Sequence, residues 1–118
     1  MAYYNRGSVY NAQEQWELAI IDLSQAIELD PKNIAAYNNR GYAYSNTQQL
    51  DKAIADYSKA IELAPDYALA YYNRGINHYQ NGQTNLAAAD FNKVIELSAD
   101  PDLIAAARER VAEIQRRK

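Results

Sequence analysis

Ile34 to Tyr67 reads IAAYNNRGYAYSNTQQLDKAIADYSKAIELAPDY. Shifting the chain by 34 residues, the length of that stretch, lays it on itself in both directions. Many positions are then identical in three copies. They include Ala2/Ala36/Ala70, Tyr3/Tyr37/Tyr71, Asn5/Asn39/Asn73, Arg6/Arg40/Arg74, Gly7/Gly41/Gly75, Ala19/Ala53/Ala87, Asp22/Asp56/Asp90, Ile27/Ile61/Ile95, Glu28/Glu62/Glu96 and Leu29/Leu63/Leu97. A period of this length marks a repeat architecture, in which each copy is one supersecondary unit. Within the quoted copy, Tyr37, Gly41 and Tyr44 recur at helical spacing and predict a first helix over roughly Ile34–Ser45. The polar stretch 46–49 interrupts it. Leu50, Ala53, Ile54, Tyr57, Ala60 and Ile61 then predict a second helix over roughly Leu50–Leu63. Pro65 stops that helix, because proline cannot continue it and disfavours helix in the residue before. Pro31 ends the first copy in the same way, and Pro101 arrives two residues late in the third.

The middle copy reads Tyr37-x2-Arg40-Gly41-x2-Tyr44, then Ala53-x3-Tyr57, then Pro65. This pattern resembles the tetratricopeptide repeat. The resemblance covers about residues 2–101, with repeats at about 1–33, 34–67 and 68–101, and residues 102–118 resemble the family's solvating helix. It implies an all-α fold: a right-handed α-solenoid of three antiparallel helix hairpins with a seventh helix, residues 1–118 forming a single domain. Tyr stands for the usual Trp, Arg for the usual Leu before the glycine, and His78 where the other copies have Tyr10 and Tyr44. Glycine inside a helix costs about 0.5–1 kcal/mol relative to alanine, so its recurrence implies close packing. The expectation is that Gly7, Gly41 and Gly75 face Ala19, Ala53 and Ala87 across each hairpin. Leu103, Ile104, Ala107, Val111 and Ile114 make an apolar stripe that covers the last hairpin. No capping residues precede the first turn at Met1, which suggests a piece of a longer array or an open end that pairs with another copy.

Composition narrows the function. The net charge is −3, with the basic residues concentrated after residue 101. A mildly acidic body lacks the basic stripe that nucleic acid requires. No apolar run is long enough to span a membrane. No leader is visible, which favours the cytoplasm while leaving the compartment open. There is no cysteine, so thiolate metal sites are excluded, and His78 has no companion ligands at helical spacing. No phosphate loop, nucleophile–base pair or carboxylate dyad is present. An enzyme is not expected, nor a metal or cofactor.

Two constellations remain. Arg6, Arg40 and Arg74 are each followed 16 residues later by Asp22, Asp56 and Asp90. Antiparallel packing should bring each pair together as a bidentate salt bridge inside its hairpin. Asn5, Asn39 and Asn73 each precede an arginine by one residue, about 100° around the helix. In the tetratricopeptide family that direction is the concave groove. A side-chain amide can bond a peptide's C=O and N–H together. First helices about 8–10 Å apart would present one asparagine to about every third residue of an extended chain, which rises about 3.3–3.6 Å per residue. The same face should carry Tyr4, Ser8 and Asn11, then Ala35, Asn38, Tyr42 and Ser45, then Leu69, Tyr72, Ile76 and Tyr79. Arg108 and Glu109 are the only charges expected near its far end.

Some relatives clamp the acidic C-terminal tail of chaperones with lysines, arginine and asparagines. Of those positions only Asn39 matches here; Tyr4, Ser8, Leu69 and Asn73 stand where the clamp wants Lys, Asn, Lys and Arg. The functional expectation is therefore a protein-interaction scaffold, binding an extended peptide through an asparagine ladder and tyrosines. The alternative is a self-associating platform, which makes homo-oligomerisation possible. Trp16, at the start of a second helix, is expected to anchor packing in the first hairpin.

Overall fold

The computed structural model describes residues 1–117. Among the described residues there are seven helices and no strand. They are α1 (Ala2–Ala12), α2 (Trp16–Leu29), α3 (Ile34–Asn46), α4 (Leu50–Leu63), α5 (Ala68–Gln80), α6 (Thr84–Leu97) and α7 (Pro101–Arg116). None is long and apolar enough to cross a membrane. The chain clusters into two compact units, one from Met1 to Ala64 and the other from Pro65 onward.

The hairpin turns are set by one device used three times. Each first helix ends with its second residue beyond the helix in the left-handed region: Glu14 at φ 60, Gln48 at φ 62 and Gly82 at φ 76. The next amide reaches back five residues, as Gln15 N–H to Tyr10 O at 2.8 Å, Gln49 to Tyr44 at 2.9 Å and Gln83 to His78 at 2.8 Å. The left-handed residue's own amide bonds three back, to Asn11, Ser45 and Tyr79. This is the Schellman arrangement, which satisfies the last carbonyls of a helix. Glycine adopts that conformation freely, whereas an L side chain is strained there. Gln48→Gly is accordingly expected to raise stability by about 1 kcal/mol, the strain relief exceeding the added freedom of the unfolded chain. A thermal melt showing an unchanged or lower midpoint would contradict it.

Helix starts are more varied. Asn33 Oδ1 accepts from Ala36 N–H at 3.1 Å at the start of α3. Asp100 Oδ1 accepts from Asp102 N–H at 2.9 Å at the start of α7, where Pro101 takes the first helical position that suits it. No side chain caps α1.

In the first unit α2 packs on both α1 and α3, and α3 packs on α4. Ala19, Leu23, Ala26, Ala36 and Ala43 form its buried centre, with Tyr4, Tyr10, Trp16, Ile20 and Ile27 packed around it. In the second unit α6 packs on α5 and α7. Its centre includes Phe91, Val94, Ala107 and Ile114, all buried, so the cap helix does bury an apolar stripe.

Ala19, Ala53 and Ala87 are fully buried, as close packing of the hairpins requires, but the nearest atoms to each glycine belong to a large side chain. A Cβ on Gly7 would lie 2.7 Å from Leu23 Cγ, one on Gly41 would lie 2.8 Å from Tyr57 Cε1, and one on Gly75 would lie 2.9 Å from Phe91 Cε1. Each glycine opens room for the large side chain one turn beyond the alanine. The close approach is helix backbone against a buried ring or leucine.

Candidate functional site

Each hairpin holds its arginine by a two-pronged bond. Arg40 Nε donates to Asp56 Oδ2 at 2.8 Å and Nη2 to Oδ1 at 2.7 Å. Arg74 repeats this on Asp90 at 2.9 and 2.7 Å, and Arg6 on Asp22 at 2.6 and 2.9 Å. The aspartates are buried in all three, but the Arg6 side chain is 59% exposed against 20% for Arg40 and 22% for Arg74. Arg40 also donates from Nη1 to Ser24 Oγ at 3.2 Å, tying α3 to α2. The bonds from Asp56 and Asp90 hold the Arg40 and Arg74 guanidinium groups above their ordinary range. At Asp22 the Arg6 fork keeps the carboxyl below the usual range. At Asp56 burial is the larger influence and pushes the carboxyl up, with Arg40 pulling against it.

The asparagines lie on another side. Asn39 Nδ2 donates to Tyr4 Oη at 3.5 Å and Ser8 Oγ at 3.3 Å, so α1 and α3 present these three residues together. Both bonds are longer than the usual range for an N–H donor. Asn11 Nδ2 donates to the Asn39 carbonyl at 2.9 Å and locks the two helices in register. Asn5 is exposed on the same helix as Tyr4 and Ser8, and Tyr42 is 47% exposed.

Asn38 departs from its expected place on this face. It is buried, at 5% exposure, in a consecutive run with Ala36 and Tyr37. A helix packed over a wide arc buries three neighbouring residues, and a reading by single faces misses that. Trp16 packs on the first-unit core as expected and reaches further. Its ring also meets Tyr42 of α3, edge to face at 5.8 Å between centroids, so it links two hairpins.

Between α1, the first turn and α3 lies an open-sided pocket of ≈440 Å³. Asn11, Glu14, Trp16, Asn39, Tyr42 and Asn46 line it, with Ser8 and Ala12. No lysine or arginine is among them.

In the second unit, Tyr72 packs on Phe91 at 5.6 Å, and Asn73, Ile76 and Tyr79 are half-buried on α5, with Leu69 exposed. The charges that reach these tyrosines come from α7 and its end. Arg110 Nε lies 3.5 Å from Tyr72 Oη, and the Arg117 guanidinium lies 5.9 Å from the Tyr79 ring centroid. Arg108 and Glu109 instead line a surface hollow along α7 with Pro101, Ile104 and Ala105. His78 is half-buried, its Nδ1 2.7 Å from Gln83 Oε1 and its Nε2 3.8 Å from Asp90 Oδ2.

Family models described as tetratricopeptide repeat match residues 34–67 and 68–101, and one described as TPR repeat matches residues 7–48. The chain belongs to the tetratricopeptide repeat family. Solved tetratricopeptide structures resemble it closely. The second TPR of Spaghetti (RPAP3) bound to the HSP90 peptide SRMEEVD is 30% identical, with a TM-score of 0.80 over 82% of this chain and 90% of that one. The second TPR domain of human RPAP3, in complex with the HSP70 peptide SGPTIEEVD, is 27% identical, with a TM-score of 0.87 over 96% and 92%. The TPR2B domain of yeast Sti1 in its pHsp70 complex is 19% identical, with a TM-score of 0.92 over 99% and 96%. A search of curated proteins returned no match. The fold class of this tetratricopeptide chain is the all-α helical-repeat solenoid.

Proposed function

We propose that this tetratricopeptide chain is a protein-interaction scaffold that takes an extended peptide segment of a partner along the Asn5, Asn39 and Asn73 side of its first helices. The observation that carries this reading is the state of Asn39. Its amide is held toward Tyr4 and Ser8 by bonds of 3.5 and 3.3 Å. A peptide carbonyl at ordinary hydrogen-bond distance would replace two long contacts with a better one. The repeat places Asn5 and Asn73 at the same phase. Tyr4, Ser8, Tyr42, Leu69, Tyr72, Ile76 and Tyr79 supply apolar and hydroxyl surface beside them.

Relatives bound to peptides ending in EEVD support peptide binding as the activity. They do not fix the ligand, because the first-unit pocket here carries a carboxylate and no cation. A peptide-array screen of the wild type against an Asn5/Asn39/Asn73→Ala variant tests the reading. The variant is expected to lose most of the spots that the wild type binds. Identical spot patterns would show that the amides do not contact the ligand.

One observation favours self-association as a second reading. Tyr3 is 39% and Val9 52% exposed, whereas their equivalents Tyr37 and Tyr71 are 8%, Ala43 is 0% and Asn77 is 1%. The outer face of α1 therefore offers apolar surface that the other copies bury. Light scattering that shows a concentration-dependent oligomer would favour it, and a constant monomer mass would remove it.

A further inference from the structure

The open-sided pocket at Trp16 has a chemistry that the chain's own repeats help to read. Its rim holds one carboxylate, Glu14, and two aromatic rings, Trp16 and Tyr42, together with the amides of Asn11, Asn39 and Asn46. Aromatic faces carry negative charge density and attract cations, best at Trp. The surroundings are acidic as well. Residues 1–64 hold five Lys+Arg against eight Asp+Glu. Of the five, Arg6 and Arg40 are bound to Asp22 and Asp56, Lys59 pairs with Glu62, and Lys52 lies over the Tyr44 ring. A cation brought from outside therefore meets little repulsion at this pocket.

Two further observations point the same way. Glu14 occupies the left-handed turn position that the third copy fills with Gly82. The turn fixes the Glu14 backbone at the rim, in the conformation that Gln48 shares in the second copy. The second unit has a hollow that shares two repeat positions with this pocket. Tyr79 and Thr84, at the repeat phases of Asn11 and Trp16, line a hollow of ≈490 Å³ that includes Arg117. There the Arg117 guanidinium lies 5.9 Å from the Tyr79 ring centroid. At that hollow the chain's own arginine lies beside an aromatic ring.

We infer that the first-unit pocket receives an arginine side chain of the bound segment, its guanidinium lying on Trp16 and Tyr42 and its N–H groups donating to Glu14 and to amide oxygens at the rim. The planar fork suits combined stacking and carboxylate bonding better than an ammonium does. This inference rests on the peptide-binding reading and adds a side-chain preference to it, opposite in charge to the EEVD segments of the solved relatives.

Trp16 is the single tryptophan, so indole fluorescence and its Nε1–H resonance report on this pocket. The probes are the peptide Ac-GSGSRSGSG-NH2 and versions with lysine, citrulline or glutamate at the arginine position. The arginine peptide is expected to shift the Trp16 signals in a saturable way, lysine less, citrulline about tenfold more weakly, and glutamate not at all. Glu14→Gln should weaken the arginine peptide by about two- to fivefold. The fold should persist in that variant, since Gln48 already occupies the equivalent backbone conformation. A glutamate peptide that shifts Trp16 as strongly as the arginine one, no response to any probe, or an unaltered affinity in Glu14→Gln would each overturn the inference. The two levels fail separately. An array-selected peptide that depends on Asn39 but not on an arginine removes only the pocket. A pocket that takes arginine while Asn39→Ala leaves selected peptides bound removes the ladder.

Discussion

Asp56→Ala is expected to lower the stability of the chain by about 3–5 kcal/mol, the usual result of leaving one member of a buried ion pair without its partner. For a chain of this size that is a fall in melting temperature on the order of 10–20 °C. The Arg40 side chain is 20% exposed and the Asp56 side chain 7%, so water replaces the carboxylate only in part when it is removed. The loss also frees the link from Arg40 Nη1 to Ser24, so packing of α3 on α2 suffers with it. Asp90→Ala should behave alike, because its arginine is equally sheltered. Asp22→Ala should cost distinctly less, because the Arg6 side chain is 59% exposed and can be solvated in place. Circular-dichroism melts of the three variants provide the comparison. Equal losses at all three sites would show that burial does not set the strength of these pairs.

Tyr57→Ala is the second large effect, at about 3–5 kcal/mol. Tyr57 is 1% exposed and its ring is the surface on which Gly41 rests. Removing the ring opens a cavity against helix backbone, which cannot move in to fill it. The repeat supplies the control. Phe91 occupies the same phase in the third copy and meets Gly75 at the same kind of distance. Tyr57→Phe should therefore stay within about 1 kcal/mol of the wild type. Denaturant titration of both variants checks the pair of results. A large loss in Tyr57→Phe would mean that the phenol, rather than the ring, holds the site.

The period, the glycines and the prolines carry the fold in plain view, because packing constraints repeat wherever the hairpin repeats. The arginine–aspartate pairs were legible for the same reason: both members recur at constant spacing. What varies between copies was hidden. The partners of the glycines are Leu23, Tyr57 and Phe91, three different residues, so a comparison by identity singled out the constant alanines instead. The pairing of Trp16 with Tyr42 joins different hairpins and occurs in one copy only. The burial of Asn38 depends on how wide an arc of α3 is packed, which a single apolar stripe does not reveal. The strained backbone at Glu14 did leave a trace, since Gly82 sits 68 residues later at the same phase. Reading each turn against the glycine of the third copy would have found it.

The central claim is a division of labour between adjacent residues: the Asn39 amide meets the ligand and the Arg40 guanidinium holds the hairpin. The direct measurement is a pair of quantities on Asn39→Ala and Arg40→Ala: affinity for one array-selected peptide, taken well below the melting point, and the melting temperature itself. Asn39→Ala is expected to bind about tenfold more weakly, the loss of one or two hydrogen bonds, with a melting point within a few degrees of the wild type. Arg40→Ala is expected to melt more than about 10 °C lower while keeping its affinity. If both variants lose the same property, the assignment of these two neighbouring side chains to ligand and to fold is wrong.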